Sequence, residues 1–227
     1  MQKYNWNEET EKAWNERAEF WHENSENMWL NGSRKTIIPF LKERLATGSV
    51  VLDAGCGDGF GSLLLAENGY IVTGMDIAEN MIERAKRKRV HQNIHFQKGD
   101  LTNLALEKES FDAIMAINSI EWVEKPLEVL QEFHNVLKPA GKLFIGLLGP
   151  TAGPRGHSFP RLYNQNAICN TMMPWEFERL ALENGWNLLD GMPVYKEEVK
   201  KINPSSLPRI LQQSLTFMWV FMLEKGE

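Results

Sequence analysis

The sequence predicts an α/β chain: seven strands in one mostly parallel sheet, helices on both faces, an antiparallel C-terminal edge and an N-terminal helical cap. Three observations predict it. Short β-branched stretches alternate with longer stretches of helical periodicity between residues 49 and 147. Glycines or Gly/Pro turns separate the two kinds, and two further apolar segments follow near the C-terminus. Such alternation lays strands side by side in parallel, because each helix carries the chain back across a face of the sheet.

In chain order, residues 8–24 read as a helix, and residues 33–45 as a second one after Asn31-Gly32. Ser49–Asp53 is a strand ended by glycines. The helix over Gly59–Asn68 is closed by Gly69, which suits the left-handed conformation beyond a helix end. Tyr70–Met75 is the next strand, Ala78–Arg89 the next helix, and Asn93–Gln97 and Phe111–Ala116 are strands. A helix over Pro126–Leu137 places Leu127, Leu130, Phe133 and Leu137 on one face. Lys138-Pro139-Ala140-Gly141 turns into a strand over Lys142–Leu147. The final third holds a Gly/Pro-rich loop, a helix near Pro174–Asn184, and the apolar segments Trp186–Tyr195 and Leu215–Leu223, which suit an antiparallel edge. No linker or repeat divides the chain, so one domain is expected over residues 1–227, with a cap at 1–46, a core at 48–148, and a lid loop and sheet edge at 149–227.

Composition narrows the class. At 43% hydrophobic and 24% charged, the chain is ordinary for a globular protein rather than a disordered or fibrous one. A net charge of −5 gives no general reason to bind nucleic acid. The basic run from Arg84 to Arg89 reads as the solvated end of a helix, where cations complement the dipole. Cys56 and Cys169 belong to no CxxC or Cys/His spacing, so neither a disulfide framework nor structural zinc is expected. Met1 to Trp6 lacks the apolar core of a leader peptide, and the apolar run over 215–223 is too short to span a bilayer. A cytoplasmic protein is the expectation.

The chemistry concentrates in one loop. A strand followed by Gly55-Cys56-Gly57-Asp58-Gly59 and then a helix lets backbone approach a ligand closely. The loop falls beyond the carboxyl end of its strand, where open α/β sheets bind ligands. Asp76 ends the next strand, 21 residues after Gly55, and a carboxylate there can accept both hydroxyls of a ribose. Together these predict an adenosine-containing ligand. A dinucleotide site would want a glycine where Phe60 stands. Asp53, just ahead of the glycines, is awkward beside phosphates but suits a ligand carrying an ammonium and a sulfonium. The balance favours S-adenosylmethionine over NAD(P).

Val51-Leu52-Asp53-Ala54-Gly55-Cys56-Gly57-Asp58-Gly59 resembles the first motif of class I S-adenosylmethionine-dependent methyltransferases, in the type-11 group that includes ubiquinone and menaquinone methyltransferases. The resemblance runs over about residues 48–148. Val72 to Asp76 is similar to the ribose-binding motif, Gly99-Asp100-Leu101 with Leu104 to the adenine-binding turn, and Leu137 to Leu143 to the turn into the fifth strand. It implies a Rossmann-like fold. It also implies that Gly55 and Gly57 give backbone contact to the methionine moiety, with Asp53 near its ammonium and Ile117 offering backbone close by. Asp76 would hold the ribose, Ile77 would pack on the adenine, and Asp100 and Leu101 would fix the adenine edge. Arg34, 21 residues before Gly55, is near the spacing of an arginine that pairs with the cofactor carboxylate in quinone-type relatives.

The same resemblance implies methyl transfer to a small-molecule acceptor by in-line displacement, releasing S-adenosylhomocysteine, with no metal required. The acceptor is not implied. After the fourth strand the chain reads Asn118-Ser119-Ile120-Glu121-Trp122-Val123, without the N/D-P-P-Y/F pattern of base N-methyltransferases. Where many type-11 relatives carry a histidine, Trp122 stands, which removes that base. His157 and Glu121 are the remaining candidate bases. Trp6, Trp14, Trp21 and Trp29, spaced 8, 7 and 8 residues apart, either anchor the cap on the sheet or form an aromatic wall over the site. The loop from Gly149 to Tyr163, with His157, Arg161 and Tyr163, is a lid or a surface connection. A cofactor-binding module without catalysis and an NAD(P)-dependent oxidoreductase stay open as alternatives, as do monomer and homodimer.

Overall fold

The computed structural model describes residues 4–226, so Met1 to Lys3 of the polar N-terminal segment and Glu227 lie outside the described residues. Strands β1 (Val50–Ala54), β2 (Ile71–Asp76), β3 (Ile94–Lys98), β4 (Phe111–Ile117) and β5 (Leu137–Leu148) pair in parallel. β6 (Trp186–Tyr195) and β7 (Thr216–Lys225) add an antiparallel edge, giving the order β3-β2-β1-β4-β5-β7-β6. The expected Rossmann-like, seven-stranded, mostly parallel sheet is therefore present. From β1 the chain winds outward through β2 to β3, then returns to pair β4 against the other side of β1. Their carboxyl ends flank the crevice where the winding reverses, the place such sheets bind ligands.

β1 shows why the sheet is buried on both faces. Neighbouring strand residues point to opposite sides. Val51 packs with α2 (Ile37–Lys42) and α3 (Phe60–Glu67), through Ile37, Leu41 and Leu65. Leu52 packs in the opposite core, with Phe133 of α5 (Pro126–Val136) and Phe177 of α6 (Pro174–Glu183). Both are fully buried. α4 (Glu79–Lys88) packs its buried Met81, Ile82 and Ala85 inward and ends in the basic run.

Four departures from expectation stand out. α1 (Trp6–Leu30) is one 25-residue helix, running past Asn24 instead of stopping there. The loop after β5 winds into a 3-10 helix over Gly153–Tyr163. Its buried Arg155 donates to the carbonyls of Leu148, Gly149, Thr171 and Met172, tying the two ends of the excursion together. In the β4–β5 ladder, Phe111 pairs with Leu137 and Ala113 with Lys142, so the Lys138–Gly141 turn stands out as a bulge. A short helix, α7 (Arg209–Ser214), precedes β7 in a stretch to which the sequence assigned no element. Among the described residues no helix is long and apolar enough to cross a membrane.

Candidate functional site

The floor of the site is backbone. Gly55 and Cys56 donate their N–H groups to the carbonyl of Met75, at 2.8 and 2.9 Å, which pins the glycine loop against the end of β2. Gly55 has φ of +78°, and a Cβ there would stand 2.4 Å from Cβ of Ser119, so only glycine fits. Asp76 accepts from the N–H of Gly57 and of Ala78, each at 2.9 Å. Burial pushes its carboxyl above the usual range. Asp53 lies beneath the loop and accepts from the Ser62 hydroxyl at 2.6 Å. Burial raises its pKa to about 7.

The roof is α1. Its Asn5 cap accepts from the N–H of Asn7 and Glu8, and the helix then crosses the carboxyl ends of the strands. Asn7 donates to Asp100 at 2.5 Å, Trp6 Nε1 to the Trp122 carbonyl at 2.6 Å, and the Thr10 hydroxyl to that same carbonyl at 3.2 Å. Lower down, the buried carboxylate of Asp58 accepts from Ser25 at 2.7 Å and Arg89 at 3.0 Å, and pairs with His22 Nδ1 at 2.8 Å. Arg84 pairs with Glu19 of the roof. Thus two arginines of the basic run latch the roof, instead of lying solvated. Past Asn24, Trp29 sits in a notch that exists because residue 61 is glycine: a Cβ there would meet the Trp29 ring at 2.5 Å.

Between floor and roof lies a cavity of about 810 Å³, its open mouth included. Arg34, Asp53, Gly55, Gly57, Asp76, Ile77, Asp100, Leu101 and Ile117 all line it. They come from four strand ends and the turn between α1 and α2, and the fold brings every one of them together. Arg34 is buried, its guanidinium 4.6 Å from the Trp21 ring centre and 5.6 Å from that of Trp29, with Asn118 Oδ1 at 3.4 Å. Burial lowers its pKa to about 10, so it stays a cation at neutral pH. Asp100 accepts twice from Thr102, through N–H and hydroxyl, besides its bond from Asn7.

Of the four spaced tryptophans, Trp14, Trp21 and Trp29 line the cavity, while Trp6 fixes the roof to Trp122. The wall and the anchor are both present, on different residues. Glu121 does not line the cavity: it is fully buried, and its carboxylate accepts from the N–H of Leu148 at 2.6 Å. His157 is separated from it by Trp122, whose ring centre lies 5.7 Å from the imidazole. Asn7, Thr10, Asn118 and Ser119 line the cavity without having been singled out from sequence. Asp58 was visible in the glycine loop, but its partners His22 and Ser25 carry no local signal.

A family model described as a methyltransferase domain matches residues 52–145. A Coxiella burnetii protein named ubiquinone biosynthesis O-methyltransferase is 38% identical over 103 residues, 44% of this chain and 44% of its own length. The biotin biosynthesis bifunctional protein BioHC of Teredinibacter turnerae is 27% identical over 179 residues, covering 74% of this chain and 31% of that protein. The chain therefore spans less than half the length of these relatives. In fold, it is similar to a chain in the complex of the Haloferax volcanii Trm112 methyltransferase activator with a putative methyltransferase. The TM-score is 0.74 at 15% identity, covering 94% of this chain and 98% of that one. Motifs, sheet order and family match agree: residues 52–145 match a methyltransferase domain, and the chain is similar to the class I S-adenosylmethionine-dependent methyltransferases of the type-11 group.

Proposed function

We propose that the chain transfers the methyl group of S-adenosylmethionine to a small-molecule acceptor within the cavity under α1. The observation that carries this is the convergence of nine motif-derived residues on one cavity. Residue chemistry fits the cofactor. The Ser119 hydroxyl is buried on the cavity wall without a protein partner, a donor in want of an acceptor. Aromatic faces of Trp14, Trp21 and Trp29 suit a sulfonium.

Bound S-adenosylmethionine supplies a methyl on positively charged sulfur, which an acceptor lone pair displaces in line as the C–S bond pair returns to sulfur. Asp76 holds the ribose hydroxyls; Asp100 and Leu101 take the adenine edge, with Ile77 against its face. Arg34 pairs with the carboxylate of the methionine moiety and Asp53 with its ammonium, while Gly55, Gly57 and Ile117 offer backbone. α1 closes over them and excludes water. Among the described residues, the ionisable groups lining the cavity are Arg34, Asp53, Cys56, Asp76 and Asp100, and the carboxylates already accept hydrogen bonds from the protein. An acceptor that is already nucleophilic, such as an amine or a thiolate, suits this lining, and a quinone-like phenol finds no histidine where Trp122 stands. A cytoplasmic setting, reducing enough to leave Cys56 and Cys169 as free thiols, fits this function.

Incubation with S-adenosylmethionine and a panel of amine, thiol, phenol and carboxylate acceptors, read as S-adenosylhomocysteine by mass spectrometry, tests the reading. Acceptor-dependent product is expected. Cofactor binding with no transfer across the panel would leave a cofactor-binding module instead.

A further inference from the structure

Outside the Trp14–Trp122 wall lies a second hollow, between α1 and the 3-10 helix, lined in part by Tyr4, Glu9, Arg17, His157 and Ile168. The wall is one side chain thick. Trp14 and Trp122 pack edge to face with ring centres 5.3 Å apart, and both line the cofactor cavity. On their other side, the Arg17 guanidinium lies 5.7 Å from the Trp14 ring, and the His157 ring lies 5.7 Å from Trp122.

The polar groups of this hollow are incomplete. Nη2 of Arg17 lies 3.2 Å from Nδ1 of His157. An arginine N–H only donates, so Nδ1 accepts and the imidazole proton is on Nε2. Burial and the adjacent guanidinium hold His157 below its usual pKa, in keeping with a neutral ring. Nη1 of Arg17 and the hydroxyl of Tyr4 are buried and have no protein partner. Two unmet donors, one fixed positive charge and a neighbouring imidazole N–H therefore gather around one space. The opposing charges are Glu9, which is solvent-exposed at the rim, and Glu124, and both act on Tyr4, Glu9 the more strongly. A planar guanidinium with a free N–H, beside a phenol, complements the oxygens of an anion.

We infer that this hollow binds a small anion, a carboxylate or a phosphate, with Arg17 and Tyr4 as its recognising residues. The inference goes beyond the methyltransferase reading: the Trp14–Trp122 wall stands between this hollow and the cofactor cavity, so a ligand here sits beside the reaction and not in it.

The test uses the protein saturated with S-adenosylhomocysteine and three probes of similar size, titrated by calorimetry: benzoate, phenyl phosphate and neutral benzamide. Benzoate or phenyl phosphate is expected to bind at least about tenfold more tightly than benzamide, the stronger anion identifying the group that the hollow prefers. Arg17→Ala should remove about tenfold or more of that affinity and Arg17→Lys should restore part of it. Tyr4→Phe, which deletes one hydroxyl and nothing else, should weaken binding about fivefold. S-adenosylhomocysteine affinity should be retained in all three variants. Equal binding of benzamide, no binding of either anion, or full anion affinity in both Arg17→Ala and Tyr4→Phe overturns the inference. Failure of the wild-type protein to bind S-adenosylhomocysteine would instead strike the cofactor reading.

Discussion

The floor of the cavity is built from contacts between near neighbours in sequence, and its roof from contacts between distant ones. On the floor, Ser62 meets Asp53 across 9 residues and Gly57 meets Asp76 across 19. On the roof, Asn7, Thr10 and Trp6 reach partners 93, 112 and 116 residues away. The floor is backbone in special conformations, which only a few residue types adopt, so it leaves a short readable pattern. The roof is a helix whose docking depends on side chains scattered along the chain, and no local pattern records it.

Changes on the floor should therefore damage ligand binding, and changes to the latch should loosen the roof. The largest effect is expected from Gly55→Val. It forces a branched side chain into positive φ, costing about 1–2 kcal/mol, and drives Cβ into Ser119 for about 1–3 kcal/mol more. S-adenosylhomocysteine binding, read by calorimetry, should become unmeasurable. Next is Asp58→Ala, which leaves Arg89 in a buried setting without its carboxylate, at about 3 kcal/mol. Amides of α1 should then exchange faster by mass spectrometry while those of β1, β4 and β5 keep their protection; uniform loss across the sheet would show that floor and roof are one cooperative unit.

Asp76→Ala should weaken S-adenosylhomocysteine binding by about 1–3 kcal/mol, the worth of charge-assisted bonds to a ribose, without freeing α1. A smaller effect follows from pH. Buried Asp53 keeps its proton up to about pH 7, whereas an adjacent ligand ammonium favours the ionised form. Binding then releases a proton below that pH, so affinity should fall as pH drops through about 7, by up to about tenfold per unit. Asp53→Asn should flatten the profile. Smallest of all, Ser62→Ala removes a hydrogen bond that stabilises the carboxylate and should move the midpoint of the profile upward.

Sequence carried the sheet well, because alternating β-branched and amphipathic stretches are local consequences of strands buried on both faces. It also carried the nine cavity residues that belong to motifs or to a motif spacing. It stopped α1 too early. Asparagine-rich residues 24–31 are poor helix formers, but the Ser25 bond to Asp58 and the Trp29 notch over Gly61 hold the helix to Leu30. The Gly/Pro-rich segment after β5 read as a free loop or lid because nothing local marks Arg155 as a residue that satisfies four carbonyls. Gly57 was a ligand-facing position from sequence; a Cβ there would also meet Nε1 of Trp21 at 2.9 Å, so it is equally a seat for the roof.

The most direct test is calorimetric titration of the wild-type protein with S-adenosylhomocysteine and, separately, with NAD⁺ and NADP⁺. A cavity floored by Asp53, Asp76 and the glycine loop should bind S-adenosylhomocysteine and show no heat with either dinucleotide. Tight dinucleotide binding with no affinity for S-adenosylhomocysteine would contradict the account at its centre.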